Sequence, residues 1–380
     1  MYNELEQHIR EWYSKPEGFI PLHEPRFRGK EKAYLMETID STFVSSVGEF
    51  VDRFESMMCE ITGAKHAVAV VNGTCALHIS LVLADVQPND EVITQPLSFV
   101  ATCNAIAYQH AIPHFVDVQE DRMSMSTESL RKRLESVVKM ENGQAINSET
   151  GRRIKACVPM HTFGHAADLD GLKAVCDEFN IALIEDAAES LGSYYKGKHT
   201  GTIGLMGTFS FNGNKTVTSG GGGALVTDDE TLAKRAKHIT TTAKVPHKWE
   251  YKHDELGYNY RLPNLNAALA CAQLEQLAGF VADKRETAAA YEAFFKANDQ
   301  VNFIKEPADS VSNYWLNTVR LGSNQNKETF LSKMNEAGIM TRPVWNLLNS
   351  LEMYQNCPKG DLSVARYLAD TLVNIPSSVR

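Results

Sequence analysis

Between about residues 64 and 245 short apolar runs alternate with amphipathic stretches. The runs His66–Val71, Glu91–Thr94, Pro113–Val118, Ile154–Met160, Ile181–Asp186, Thr208–Phe211 and Ala224–Thr227 predict strands. The stretches Thr74–Ala84, Val100–Gln109, Thr127–Val137, Leu169–Phe179 and Glu230–Ile239 space their apolar residues as helices do. Strand–helix alternation of this kind predicts an α/β fold, a mostly parallel sheet with helices on both faces. Ligands bind beyond the carboxyl ends of such strands. Asn72, Gly73 and Asp186 are expected at those ends.

The rest of the chain is patterned differently. Residues 138–153 are polar and read as a surface hairpin or excursion, and Lys244–Tyr260 reads as a long irregular loop. A helical pattern runs over Leu265–Asn298 with a break expected at Gly279, and the last ~80 residues mix short strand-like and helix-like pieces. This predicts a large domain over residues 1–245, with an N-terminal arm, and a smaller C-terminal domain over 246–380. There is no internal repeat and no low-complexity tract.

Composition narrows the class. A chain of 380 residues can bury a large core, and a net charge of −9 argues against a nucleic-acid footprint. Seven cysteines without a C-x-x-C pair argue against a disulfide framework or zinc site and suit a reducing compartment. The first residues lack a basic region followed by an apolar core, and no apolar run approaches a membrane span, so a cytoplasmic location is expected. His110 and His114 are separated by Pro113, and His161 and His165 have no acid or cysteine at ligand spacing, so no metal site is expected.

The candidate chemistry lies at the predicted strand ends. Val68–Val71 runs into Asn72-Gly73-Thr74, where a glycine permits close approach and a helix start presents N–H groups to an anion. Taken alone, Gly-Thr at a turn is common. Ser210 could reach the same anion, and Phe99 could stack on a planar ring. Asp186 closes a run as apolar as Ile181–Ile184 and so needs a partner or a ligand, whereas the adjacent Glu185 reads as solvated or as a capping partner. Lys215 follows Asn212-Gly213-Asn214 and precedes the glycines Gly220 to Gly223. Its spacing does not fit a Walker A loop. An acid at a strand end and a lysine on a tight turn about thirty residues later suit pyridoxal phosphate (PLP) chemistry. The amine would hold the aldehyde as a Schiff base and the carboxylate would keep the ring nitrogen protonated.

Six segments together resemble the DegT/DnrJ/EryC1/StrS sugar aminotransferases: Asn72–Leu77, Pro96–Thr102, His161–Asp168, Glu185–Ser190, Phe209–Lys215 and Gly257–Arg261. The resemblance implies a fold-type I PLP-dependent transferase that is a homodimer with shared active sites. It makes Lys215 the Schiff-base lysine and Asp186 the partner of the ring nitrogen. Phe99 takes the stacking place, Gly73, Thr74 and Ser210 the phosphate places, and Asn259 a phosphate contact made across the subunit interface. Glu189 stands where the family usually has Gln or His, and Asn349 where a histidine is often found. Arg261 is a candidate for the diphosphate or the donor carboxylate. Phe43–Gly48, Lys244–His247 and Cys357–Ser363 are similar to the branch that aminates C4 of a UDP-linked 4-keto-6-deoxy-N-acetylhexosamine, with glutamate as donor. Two rivals from other classes are a non-catalytic PLP or nucleotide-sugar-binding regulator and a PLP-dependent sugar dehydratase. The first would need an effector segment, of which the sequence has none. In the related dehydratases the lysine position carries histidine.

Overall fold

The computed structural model describes residues 2–296, 301–323 and 325–380. Its central sheet has seven strands: β1 (His66–Val70), β2 (Glu91–Thr94), β3 (Ile112–Phe115), β4 (Ile154–Val158), β5 (Ala182–Asp186), β6 (Met206–Ser210) and β7 (Gly223–Thr227). They lie in the order β1-β7-β6-β5-β4-β2-β3. Six run parallel, and β7 alone runs against both of its neighbours.

Successive side chains leave a strand on opposite faces, and both faces here are covered. Val92, Val158, Ile184 and Leu225 pack with Leu77, Ile79, Ile106 and Ile239 from the helices Gly73–Leu83, Val100–Tyr108 and Glu230–Thr240. Their neighbours Ile93, Cys157 and Leu183 pack with Leu130, Leu134, Leu172 and Val175 from Thr127–Val137 and Leu169–Glu178. This explains why the central strands read as nearly continuous apolar runs.

The expected hairpin is present as Val138–Glu141 paired with Gln144–Asn147. Lys244–Tyr260 holds no helix and only isolated bridges, such as Lys244 with His253. The break in the long helical pattern falls at Glu275–Gln276, between the helices Asn264–Leu274 and Leu277–Phe295, and not at Gly279. Gly279 continues the second helix, where one glycine is tolerated at modest cost. The end of that pattern, up to Asn298, lies outside the described residues.

A second, four-stranded antiparallel sheet orders Val301–Phe303, Asn317–Leu321, Leu372–Ile375 and Arg342–Pro343. Its core takes in Leu5, Ile9 and Ile20 from the chain's start beside Val319, Phe330 and Val373. The helix Asn264–Leu274 packs instead on the central-sheet side, where Ala267 and Ala268 share a core with Phe54, Phe209 and Val226. No helix among the described residues is long and apolar enough to cross a membrane.

Candidate active site

The site forms where strand ends meet. Gly223, the first residue of β7, pairs with both Val70 and Ser210, so the carboxyl ends of β1 and β6 flank one point. Beyond β1, Asn72 caps the helix Gly73–Leu83; its Oδ1 accepts from the Cys75 N–H at 2.8 Å. The cap is therefore Asn72. The N–H groups of Gly73 and Thr74 belong to the first turn, which has no intrahelical acceptors, at the positive end of the helix dipole. A Cβ on Gly73 would stand 2.8 Å from the Ser210 Cβ and 3.4 Å from the Phe209 carbonyl. Only glycine lets this helix start close on the end of β6. The result is a cavity of about 330 Å³ lined by Gly73, Thr74, Ser210, Lys215, Glu189 and Phe99, among others.

Two adjacent carboxylates at the end of β5 have opposite environments. Glu185 faces away from the cavity and is fully buried. It accepts from His161 Nε2 (3.0 Å) and from the N–H groups of Gly201 (2.6 Å), Ile203 (2.7 Å) and Gly204 (2.7 Å). The loop can close over it because its register partner is Gly207, where a Cβ would collide with the Gly201 backbone. Burial pushes the Glu185 carboxyl up, but the His161 bond and the Gly204 and Gly201 N–H groups outweigh that and hold it below the usual range. His161 Nδ1 accepts from the Ala167 N–H at 3.1 Å, so the proton sits on Nε2. Glu185 is thus neither solvated nor a cap, contrary to the sequence reading.

Asp186 is also buried but meets only two donors, the Thr102 hydroxyl at 2.7 Å and the Ala188 N–H at 3.2 Å. Burial dominates and raises its carboxyl above the usual range; the two hydrogen bonds and the Lys215 charge oppose this only in part. A carboxylate has about four acceptor positions, so Asp186 keeps capacity for a cation.

Lys215 reaches the same place from the turn after β6. Its Nζ lies 3.2 Å from Glu189 Oε1 and 4.0 Å from the centroid of the Trp315 ring. The Trp315 indole N–H donates to the Asn214 carbonyl at 2.7 Å, immediately before the lysine. The other Glu189 oxygen accepts from the Phe163 N–H at 2.9 Å. Phe163 holds φ at +56°, a strained value for so bulky a side chain, and this turn aims its N–H at Glu189. Burial raises the Glu189 carboxyl to about 7, against the pull of the Lys215 charge.

Among the residues expected from the sequence, Gly73, Thr74, Phe99, Glu189, Ser210 and Lys215 line one cavity; Asp186 is buried and is not among its lining residues. Phe99 is 50% exposed and its ring lies 6.4 Å from that of Trp345. Asn259, Arg261 and Asn349 are not among the cavity's lining residues. Asn259 is exposed, and Arg261 Nε donates to its Oδ1 at 3.4 Å. Asn349 sits on the turn Leu348–Ser350. Sequence reasoning missed Thr102, Phe163 and Trp315. A threonine one turn into a helix at a strand end was a weak signal for the first; nothing local marks Trp315, which lies 100 residues beyond Lys215.

An anion cradle closed by a glycine and a lysine amine in one cavity, with a buried carboxylate of spare acceptor capacity beside it, fit PLP through its phosphate, aldehyde and ring nitrogen. Fold and site together define a fold-type I PLP-dependent transferase. Residues 25–380 match the DegT/DnrJ/EryC1/StrS aminotransferase family, and the chain belongs to that family. It is 37% identical over 336 residues to the GDP-perosamine synthase of Escherichia coli O157:H7, covering 88% of this chain and 87% of that one. EpsN of Bacillus subtilis (strain 168) is 37% identical over 335 residues, covering 88% and 84%. The crystal structure of the aminotransferase TlmJ from Streptoalloteichus hindustanus superposes with a TM-score of 0.86 at 27% identity, covering 95% and 94%. The cofactor is PLP.

Proposed function

We propose that the protein moves an amino group from glutamate to C4 of a nucleotide-linked 4-keto-6-deoxy sugar. We take the sugar to be UDP-2-acetamido-2,6-dideoxy-hexos-4-ulose and the product a UDP-4-amino-4,6-dideoxy-N-acetylhexosamine. The observation that carries the reading is that Lys215 and Glu189 meet in the cavity lined by Gly73, Thr74 and Ser210, with Asp186 buried beside it and close enough to feel the Lys215 charge, in a chain of this family.

Bound PLP supplies an aldehyde for the incoming amine and a ring that takes up an electron pair. The chain supplies position and protons. The N–H groups of Gly73 and Thr74 and the Ser210 hydroxyl hold the phosphate. Asp186 would keep a proton on the ring nitrogen. Lys215 Nζ takes a proton from the donor carbon and, in the second half of the cycle, returns one to C4 of the sugar. Glu189 and the Trp315 ring hold that amine between transfers. Phe99, which lines the cavity, would stack on the ring. In a homodimer the exposed Asn259 would reach the phosphate of a second subunit, and Arg261 and Asn349 would contribute to substrate binding. Asn349 Oδ1 is buried without a hydrogen-bond partner, which leaves it open to a ligand donor.

A second reading differs in the nucleotide and the sugar. The 37% identity to a GDP-perosamine synthase favours a GDP-linked 4-keto-6-deoxy sugar. A panel of UDP- and GDP-linked 4-ketosugars, supplied with glutamate and followed by NMR of the product, separates the two. Amination at C4 of the UDP-linked N-acetylated substrate, lost in Lys215→Ala, is the expected result. Turnover of the GDP sugar alone would transfer the assignment, and no amine transfer to any member would refute both.

A further inference from the structure

Behind the site lies a second lysine that the proposed chemistry does not use. Lys284, on the helix Leu277–Phe295, is fully buried. Its Nζ donates to the main-chain carbonyl of Trp315 at 3.1 Å and to that of Ser377. Each contact belongs to a different part of the chain. Trp315 precedes the strand Asn317–Leu321, and Ser377 lies in the C-terminal tail, which is itself tied to the chain's start where the Ser377 N–H donates to the Leu22 carbonyl at 2.7 Å. Both acceptors are main-chain oxygens, so the lysine reads the position of the backbone and not the identity of its side chains.

What this junction fixes is Trp315. The peptide of Trp315 is held from both sides, by Lys284 at its carbonyl and by Asn313 Oδ1 at its N–H (2.8 Å). Asn313 is buried in turn and donates to the carbonyls of Glu189 (3.0 Å) and Leu191 (2.9 Å). The indole then meets the site twice, with its N–H on the Asn214 carbonyl and its face under Lys215 Nζ. The path from Lys284 to Lys215 is therefore short, with one residue between two amines and every link a hydrogen bond or ring contact. A buried amine is costly to desolvate, and an apolar residue of similar length would fill the same space without that cost.

We infer that Lys284 is a positioning residue for the transamination: by holding the Trp315 peptide it sets the indole against Lys215 and keeps the lysine amine oriented toward the cofactor. This rests on the function proposed above. The lysine supplies donors at a place where two carbonyls would otherwise be buried unpaired, and the fixed indole face stabilises positive charge on the nitrogen of Lys215.

The test compares Lys284→Met, Lys284→Gln, Trp315→Leu and the double variant Lys284→Met/Trp315→Leu, each supplied with PLP. Three quantities are read: the pH midpoint of the cofactor's visible band, PLP affinity by equilibrium dialysis, and kcat separately from KM. Trp315→Leu should lower the midpoint by about half a pH unit or more, because a face that favours the protonated nitrogen is gone. Lys284→Met should shift it the same way and lower kcat about tenfold with little change in KM. The double variant should match Trp315→Leu alone, since both act through one ring. Lys284→Gln keeps a donor and should fall between wild type and Lys284→Met. A Lys284 variant that melts earlier yet keeps the wild-type midpoint, or whose effect adds to that of Trp315→Leu, would show the lysine to be merely structural. If Trp315→Leu keeps the wild-type midpoint and affinity, the inference falls whatever the Lys284 variants do. A wild-type protein with no visible band after PLP is supplied would instead sink the function itself.

Discussion

Asp186→Asn separates function from stability at one atom. In the unliganded protein Asp186 is 2% exposed, with Thr102 on one oxygen and the Ala188 N–H on the other. Asparagine fits this pair: its oxygen can accept from Ala188, and its amide can donate to the Thr102 hydroxyl, which rotates to accept. Both existing hydrogen bonds are kept and the buried charge is removed, so the cofactor-free variant should be within about 1 kcal/mol of wild type or above it. The sign of the pH dependence follows from the raised carboxyl. Wild type incurs the cost of a buried charge as pH rises from the ordinary aspartate range through the higher native value, and the amide does not. The variant's melting temperature relative to wild type should therefore increase from acid toward neutral pH. Catalysis should move the other way. Losing the charge that keeps the ring nitrogen protonated should lower single-turnover rates on the order of 10²–10³-fold, the range for one removed electrostatic contact at a reacting centre. Calorimetry of the cofactor-free proteins and rapid-quench kinetics of the loaded ones measure the two halves. A variant within tenfold of wild-type rate, or one that melts many degrees lower without cofactor, would refute the assignment of Asp186 as a carboxylate kept for the ring.

Three further outcomes follow from the same geometry. Glu185→Gln replaces an acceptor of four N–H groups by a side chain with one oxygen and an amide that faces donors; it should cost about 2–5 kcal/mol and lower the melting temperature by roughly 3–6 °C, read by calorimetry. Gly73→Ala places a methyl 2.8 Å from the Ser210 Cβ, and PLP affinity measured by dialysis should fall about tenfold or more while the fold is retained. Glu189 has its carboxyl raised to about 7, so cofactor-free wild type should lose stability as pH rises from the ordinary glutamate range to about 7, and Glu189→Gln should reduce that slope in thermal melts taken across the window, leaving the part due to Asp186.

Much of this was legible because the signals are local. Each of the seven strands was readable to within two or three residues, since a strand buried on both faces must be apolar at nearly every position and must stop where turn residues begin. The cavity residues Gly73, Thr74, Ser210 and Lys215 each lie within a few residues of a strand end. The misreadings have local causes too. Gly279 attracted the helix break because glycine is the poorer helix former, yet the chain turns at Glu275–Gln276, where Glu275 forms an ion pair with Arg53 at 2.5 Å. Trp315 and Lys284 were invisible for a different reason. Their importance lies in contacts made across 100 positions, from Trp315 to Lys215, and across 31 and 93, from Lys284 to Trp315 and Ser377, and no periodicity carries such information.

The pair Glu185-Asp186 shows where sequence ends and physics takes over. Residue type does not distinguish them, and either could be read as the partner of a ligand. Strand alternation decides which face each takes, but a face alone assigns no role, because both sides of β5 are buried. The deciding quantity is how many donors each carboxylate meets. Glu185 has four and sits below the usual carboxyl range; Asp186 has two and sits above it. A buried charge fully paired by the protein is part of the fold. One left short of partners, beside a cavity that also holds a lysine amine, is a cost the fold bears until a cation arrives. The same reasoning applies to Glu189, whose raised carboxyl is only partly offset by Lys215, so Glu189 in the cavity wall and Asp186 buried beside it both gain when positive charge enters. Cofactor binding should therefore stabilise this protein more strongly at neutral than at acid pH, because only there are both carboxylates charged and in need of the cation.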